Sequence, residues 1–272
     1  MSATIVRLDA ANPRRRRVAV GKFDGLHLGH RAVVSGCDAV CTFDPHPAVV
    51  LAPGPAPPLL TSLRRRAELL GAIGVDELVV LPFDDAMRAR SPQAFIDEIL
   101  LDSLGATHVR VGADFRFGHR AEGRPADLLS DDRLRCRVIE PVLANGAAIS
   151  STRIRALVAA GAVAEAAELL GAPHAVWCRR LPVCGHGIEL VAPADLALPP
   201  SGDYVVRLPG TTGRPVLARC RVTACLDAGR SARLVLDDAD GASLEEELRV
   251  EFVERLADHE ARPSLSAALR VA

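Results

Sequence analysis

Aromatic side chains are scarce in this 272-residue sequence: one Trp, one Tyr and seven Phe make up 3% of it. Its cores must be aliphatic, and a hydrophobic share of 49%, carried by Ala, Val and Leu, is enough to build them. Net charge is also lacking. The 33 basic residues are balanced by 34 acidic ones, which argues against a nucleic-acid binder driven by bulk electrostatics. No apolar run approaches the ~20 residues of a membrane helix. The start, MSATIVRLDAANPRRRR, has no apolar segment after a charged one, so it does not read as a secretory signal. The seven cysteines, at 37, 41, 136, 178, 184, 220 and 225, form no Cys-x-x-Cys pair. Disulfide frameworks and zinc clusters fit that spacing poorly, and free thiols in a reducing cytoplasm are the simplest account. The expectation is a cytoplasmic protein with no nucleic-acid or membrane partner. Nothing in the sequence specifies an oligomeric state. The basic runs Arg14 to Arg17 and Arg64 to Arg66 read as a solvated loop and a solvated helix face.

What is present alternates between strand and helix. RVAVG (17–21), AVCTF (39–43), ELVVL (77–81), THVRVG (107–112) and RCRVIEPV (135–142) read as strands. HRAVVSG (30–36), SLRRRAELLGAIG (62–74), SPQAFIDEILLDSLG (91–105), SSTRIRALVAAG (150–161) and VAEAAELLG (163–171) read as helices. The third helix is well punctuated, with Ser91 as cap, Pro92 in the first turn and Gly105 as stop. The alternation predicts a doubly wound parallel α/β sheet. After residue 173 the pattern changes to β-like segments separated by Gly, Pro, Asp and Ser, which predicts a small antiparallel β-barrel-like domain. The tail from residue 243 reads as a strand with one or two helices. The boundary is placed between an α/β domain, 1–174, and a β domain, 175–272.

The first strand runs into GKFDGLHLGH (21–30). In an open α/β sheet, ligands bind beyond the carboxyl ends of the strands. Gly21, Gly25 and Gly29 permit tight turns and close approach, and a helix opening near Gly29 aims N–H groups at the same place. His27 and His30 read as donors to a phosphate, as chance surface residues, or as metal ligands without an acidic third partner. Further on, ISSTRIR (149–155) puts Ser151 and Thr152 at a helix entry, with Arg155 one turn beyond Thr152. These read as an anion grip or as a plain capped helix. GADFRFG (112–118) follows the fourth strand and offers Asp114 and Arg116 as polar contacts; at least one of Phe115 and Phe117 reads as core. TFDPHP (42–47) presents His46 as a rigid, exposed residue between Pro45 and Pro47, which reads equally as a phosphate contact or as a loop residue salt-bridged to Asp44.

His-x-Gly-His after a first strand resembles the signature of the nucleotidylyltransferase superfamily. Together with TFDPHP, LTSLRRRAELL, GADFRFG and ISSTRIR in that order, it resembles the adenylyltransferase module of the prokaryotic riboflavin kinase/FMN adenylyltransferase (FAD synthetase) family, over roughly residues 17–175. The resemblance implies transfer of AMP from ATP to FMN, giving FAD and pyrophosphate, with Mg²⁺ accompanying ATP. It implies that His27, His30 and Arg155 are catalytic. It implies that Gly21, Phe23, Asp24, Gly25, Gly29, Ser151 and Thr152 bind ATP phosphates. His46, Pro47, Asp114, Phe115, Arg116 and Phe117 are implied at the flavin or nucleotide, and no resident metal is implied. A paralogue with another acceptor, or a non-catalytic flavin- or nucleotide-binding protein, is the alternative.

Two departures stand out. Only Arg31–Asp38 separate His30 from the second strand, where the family has a longer helix. In the second domain the family's Pro-Thr-Ala-Asn is missing, and Arg233 or Leu234 stands where a glutamate base is expected. The second domain therefore resembles a riboflavin kinase barrel without its chemistry.

Overall fold

The structure is a computed structural model. It describes residues 2–51, 56–182, 188–224, 232–237, 239–242 and 245–257. The chain packs as two compact units. One holds residues 1–57 and 63–150, the other 58–62 and 151–272. The two helices after Ser150 thus group with the barrel, whereas the sequence pattern placed them with the α/β domain.

In the first unit, β1 (Thr4–Arg7) is followed by β2 (Arg16–Val20), α1 (Leu28–Val34), β3 (Ala39–Asp44), α2 (Pro47–Leu51), α3 (Leu63–Ala72), β4 (Glu77–Pro82) and α4 (Asp85–Ala89). Then come α5 (Pro92–Ala94), running on as a π-helical stretch (Phe95–Ser103), β5 (Ala106–Gly112), α6 (Pro125–Leu129), β6 (Arg135–Ile139) and a short hairpin, β7 (Leu143–Ala144) and β8 (Ala147–Ala148). Six strands form one sheet in the order β1-β4-β3-β2-β5-β6, every pair parallel. From β2 the chain builds outward through β3 and β4, then returns to add β5 and β6 on the other side. The order reverses between β2 and β5, where this class of sheet opens a crevice.

Side chains alternate across the sheet. Val18, Val20, Cys41 and Leu81 join one apolar cluster with Met87, Phe95, Ile99, Leu100 and Leu128. Ala19, Val40 and Leu78 join another with Val33, Val34, Ala67 and Leu70. Helices therefore cover both faces, as expected for parallel strands. The expected helix at 91–105 starts as its signals say: Ser91 Oγ accepts the Ala94 N–H at 3.1 Å and Pro92 stands in the first turn. Its body is wound more widely than an α-helix, which keeps Phe95, Ile96, Ile99 and Leu100 on one buried face. The edge strand β1 was not expected. It is four residues long with mostly exposed side chains, so its sequence carries little hydrophobic pattern.

The second unit contains α7 (Ser151–Ala159), α8 (Val163–Leu170) and β9 (His174–Arg180), β10 (Ile188–Val191), β11 (Gly202–Leu208), β12 (Val216–Ala224), β13 (Ala232–Asp237) and β14 (Glu247–Arg255). The strands close into an antiparallel barrel, β10-β13-β12-β11-β14-β9. Its interior is filled by aliphatic side chains with Tyr204 and Phe252. The strand expected in the tail is β14; the helices expected beyond it lie outside the described residues.

The basic runs depart from expectation. Arg16 is 2% exposed. It opens β2 next to β5 and donates to Glu77 at 2.5 Å, so strand position, not composition, buries it. Arg65 and Arg66 are both buried on α3.

Gly105 terminates the π-helical stretch at φ +64°, and a Cβ there would lie 2.5 Å from the Arg14 carbonyl oxygen. Gly105→Ala is expected to destabilise by at least about 1–2 kcal/mol from the left-handed backbone alone. A melting curve indistinguishable from wild type would contradict this packing.

Candidate active site

Three loops leave the carboxyl ends of the adjacent strands β3, β2 and β5. They are the segments the sequence singled out: TFDPHP spanning the end of β3, the histidine loop after β2, and GADFRFG from the last residue of β5 onward. The histidine loop is pressed inward. Phe23, Asp24, Leu26 and His27 are all buried. Phe23, Gly25 and Leu26 have φ of 48°, 88° and 41°. Two non-glycine residues in that region cost of order 1–3 kcal/mol each, and burial of the Phe23 and Leu26 side chains among Val33, Val34, Val40 and Leu78 offsets it. The loop is held in one shape by its own anchors.

His27 caps α1: its Nδ1 accepts the His30 N–H at 3.2 Å. One of the N–H groups expected to face an anion is thus already taken. Accepting at Nδ1 puts the proton of the neutral ring on Nε2, a donor. The rings of His27 and His30 stack, with centroids 3.6 Å apart and planes 16° off parallel. Phe23 meets His30 edge-on at 5.4 Å. A Cβ at Gly29 would lie 3.2 Å from the His27 ring, so the ring would have to give by a few tenths of an ångström. Burial pushes His27 down to about 4, against the pull of Asp24. His30 is held well below the ordinary imidazole value by burial first, then by His27 and Arg66. Both rings are neutral at pH 7. The His30 Nδ1 is buried and has no hydrogen-bond partner among the described residues.

The short helix α1 is secured from β5. Arg110 donates to the carbonyls of Ser35 at 2.5 Å and Ala32 at 3.0 Å, closing the carboxyl end of the helix. Arg31 Nε donates to the Leu26 carbonyl at 3.2 Å. Two arginines thus hold the ends of a helix of only seven residues.

The other expected residues fall as follows. His46 is buried, contrary to the exposed position its prolines suggested; its Nδ1 accepts the Ala48 N–H at 3.1 Å and Pro47 opens α2. Phe117 is core, 5.4 Å from Phe95. Phe115 stacks on Phe117 at 5.4 Å and stays partly exposed. Asp114 and Arg116 are exposed, and Arg116 donates to the Phe115 carbonyl. Ser151, Thr152 and Arg155 lie on α7, in the second unit. Sequence reasoning missed Arg66 and Thr42. The signal was there: Leu63, Arg66, Ala67 and Leu70 recur at the spacing of one helix face, so the apolar stripe of α3 includes the arginine.

A doubly wound parallel sheet that carries His-x-Gly-His beyond its central strand, followed by a closed antiparallel barrel, defines an α/β nucleotidyltransferase. The chain belongs to the FAD synthetase family, whose model matches residues 9–153. It is 38% identical to the bifunctional riboflavin kinase/FMN adenylyltransferase of Listeria monocytogenes over 170 residues, covering 58% of this chain and 54% of that protein's length. It is 30% identical to the protein of the same name from Pseudomonas fluorescens, covering 91% and 86% of the two chains. For the Escherichia coli protein the figures are 32% identity and 73% and 70% coverage. Among solved structures, a macrolide-efflux protein from Streptococcus pneumoniae superposes with a TM-score of 0.81 at 23% identity, over 98% of this chain and 95% of that one. That likeness is one of fold.

A histidine whose folded value is about 4 binds its proton later than the unfolded chain does. Stability from His27 is therefore complete above about pH 6.5 and lost as pH falls toward 4, by at most about 1.4 kcal/mol per pH unit. Between pH 7.5 and 5.5 the wild type should lose more melting temperature than His27→Gln. Equal losses would mean that His27 is not held neutral by burial.

Proposed function

We propose that the chain is an FMN adenylyltransferase, joining FMN and ATP to give FAD and pyrophosphate. The observation that carries this reading is the stacked pair of buried His27 and partly buried His30, both held neutral, on the loop at the switch between β2 and β5. The FMN phosphate is largely ionised at pH 7, its second pKa being about 6, so its attacking oxygen needs no strong base. That oxygen bonds to the α-phosphorus of ATP in line, the bond to the bridging oxygen breaks, and pyrophosphate leaves with the electron pair. Catalysis is then positioning and charge stabilisation. His27, with its proton on Nε2, supplies an N–H donor that costs no reorganisation when charge develops on the phosphoryl oxygens. His30, stacked on it, supplies the second.

Gly21, Gly25 and Gly29 let the backbone come close to the phosphates. Ser151, Thr152 and Arg155 are assigned to the β- and γ-phosphates on the strength of their motif. His46, Pro47, Asp114, Phe115, Arg116 and Phe117 are assigned to the flavin or nucleotide on the same ground. Partly exposed Phe115, supported from behind by Phe117, offers the ring face that a flat heterocycle stacks on. Mg²⁺ enters with ATP as part of the substrate; among the described residues no three His, Cys, Asp or Glu side chains group as a metal site. The domain division proposed for function remains 1–174 for adenylyl transfer and 175–272 for the β domain, in a cytoplasmic protein with no nucleic-acid or membrane partner. No helix among the described residues is long and apolar enough to cross a membrane.

The barrel is proposed to lack riboflavin kinase activity. Leu234 is fully buried in its interior and Arg233 is outside, 3.6 Å from Glu189, so neither supplies a carboxylate base. Part of the segment that lacks Pro-Thr-Ala-Asn, 183–187, lies outside the described residues.

Incubation with ATP, Mg²⁺ and FMN, followed by chromatography, should yield FAD and pyrophosphate in equal amounts. His30→Ala should lower that rate by ~10²–10³ while leaving folding intact; a variant of undiminished rate would remove the histidines from the mechanism. Tight flavin binding without turnover would instead make the chain a binding protein. ATP and riboflavin should give no FMN, and a measurable rate would restore the kinase.

A further inference from the structure

Arg66 is buried to 3% exposure in α3, where its guanidinium reaches two elements of the site. Its Nη2 lies 3.8 Å from Asp24 Oδ1, and Asp24 is itself 1% exposed. Its Nη1 donates to Thr42 Oγ1 at 2.8 Å. That hydroxyl donates onward to the Lys22 carbonyl at 2.9 Å. Thr42 belongs to β3, while Lys22 and Asp24 belong to the histidine loop. One side chain therefore ties the loop to the neighbouring strand at two points. Such a pair is weak evidence for stability, because an apolar side chain of similar volume often serves a core as well. A fork of fixed donors accounts for the pair, since it sets direction as well as distance.

We propose that Arg66 is a positioning residue: through Asp24 and the Thr42 hydroxyl it sets the turn on which His27 and His30 stand. The proposal rests on the adenylyltransferase reading for its kinetic consequences but not for its structural ones. Charged and titratable groups around Arg66 include Asp24, Asp44 and His30, with His27 stacked on the last.

The test uses the full chain with Arg66→Met and Arg66→Lys, reading amide hydrogen exchange over residues 21–30 and steady-state FAD formation across pH. In Arg66→Met the loop amides should exchange about tenfold faster or more. Its kcat should fall about 10²-fold, with KM for ATP and FMN changed by less than about threefold. The acid limb of its kcat profile should move to higher pH, because a cation has been removed beside His30. Arg66→Lys, with charge but no fork, should restore the pH profile but not the exchange protection. Unchanged loop exchange in Arg66→Met overturns the proposal, whatever happens to kcat. If the wild type makes no FAD, the adenylyltransferase reading fails alone, and the exchange measurement still decides the role of Arg66. If Arg66→Met does not fold, Thr42→Val breaks the relay to Lys22 while leaving the cation in place. Faster exchange in the loop then supports the proposal, and unaltered exchange overturns it.

Discussion

Strand β2 is hydrogen-bonded in parallel to β3 on one side and β5 on the other, and the place where it ends governs the candidate site. Its two faces are both buried, Val18 and Val20 against one helical layer and Ala19 against the other. A slip of one residue would exchange these faces, so the register is tightly specified. The loop from Gly21 to His27 therefore starts at a fixed point beside the reversal of strand order. The ends of β3 and β5 flank it for the same reason. Three loops that are far apart in the chain become neighbours because parallel strands all deliver their carboxyl ends to one edge.

From that anchor the chemistry follows from burial. Phe23 and Leu26 draw the loop into an aliphatic core, and His27 and His30 follow it out of water. Desolvation keeps both rings neutral, and the cap to the His30 N–H assigns the tautomer of His27. The same inward packing buries Arg66 and Asp24, two charges that are tolerable there because they lie beside each other and beside the Thr42 hydroxyl. The barrel shows the opposite use of burial. Its interior is filled with aliphatic side chains, Leu234 among them, and Asp203 forms ion pairs with Arg219 and Arg221 outside that cluster.

Much of the architecture was legible in the sequence. Short β-branched runs separated by helical periodicity specified the parallel sheet, and the change of pattern after residue 173 specified the antiparallel domain. Ser91, Pro92 and Gly105 marked a helix through local backbone chemistry, which needs no tertiary context. The edge strand β1 was not legible, since exposed side chains leave no hydrophobic alternation to read. The burial of His46 was not legible either, because two flanking prolines constrain the backbone but not what packs on it.

The sequence by itself determined which residue types stand at the ends of the strands: the histidines and glycines after β2, Asp-Pro-His after β3, and the paired phenylalanines after β5. These follow from local order along the chain. Only the tertiary structure decided which charges are buried and what they hold. Arg64, Arg65 and Arg66 look alike in a row of three, yet Arg64 stays exposed, Arg65 is buried beside Glu68, and Arg66 lies on the apolar stripe of α3, against Asp24 and Thr42. The physical reason is that burial is a property of the packed face and not of the residue. A residue 24 positions before Arg66 and another 42 before it become its partners only once the sheet has formed.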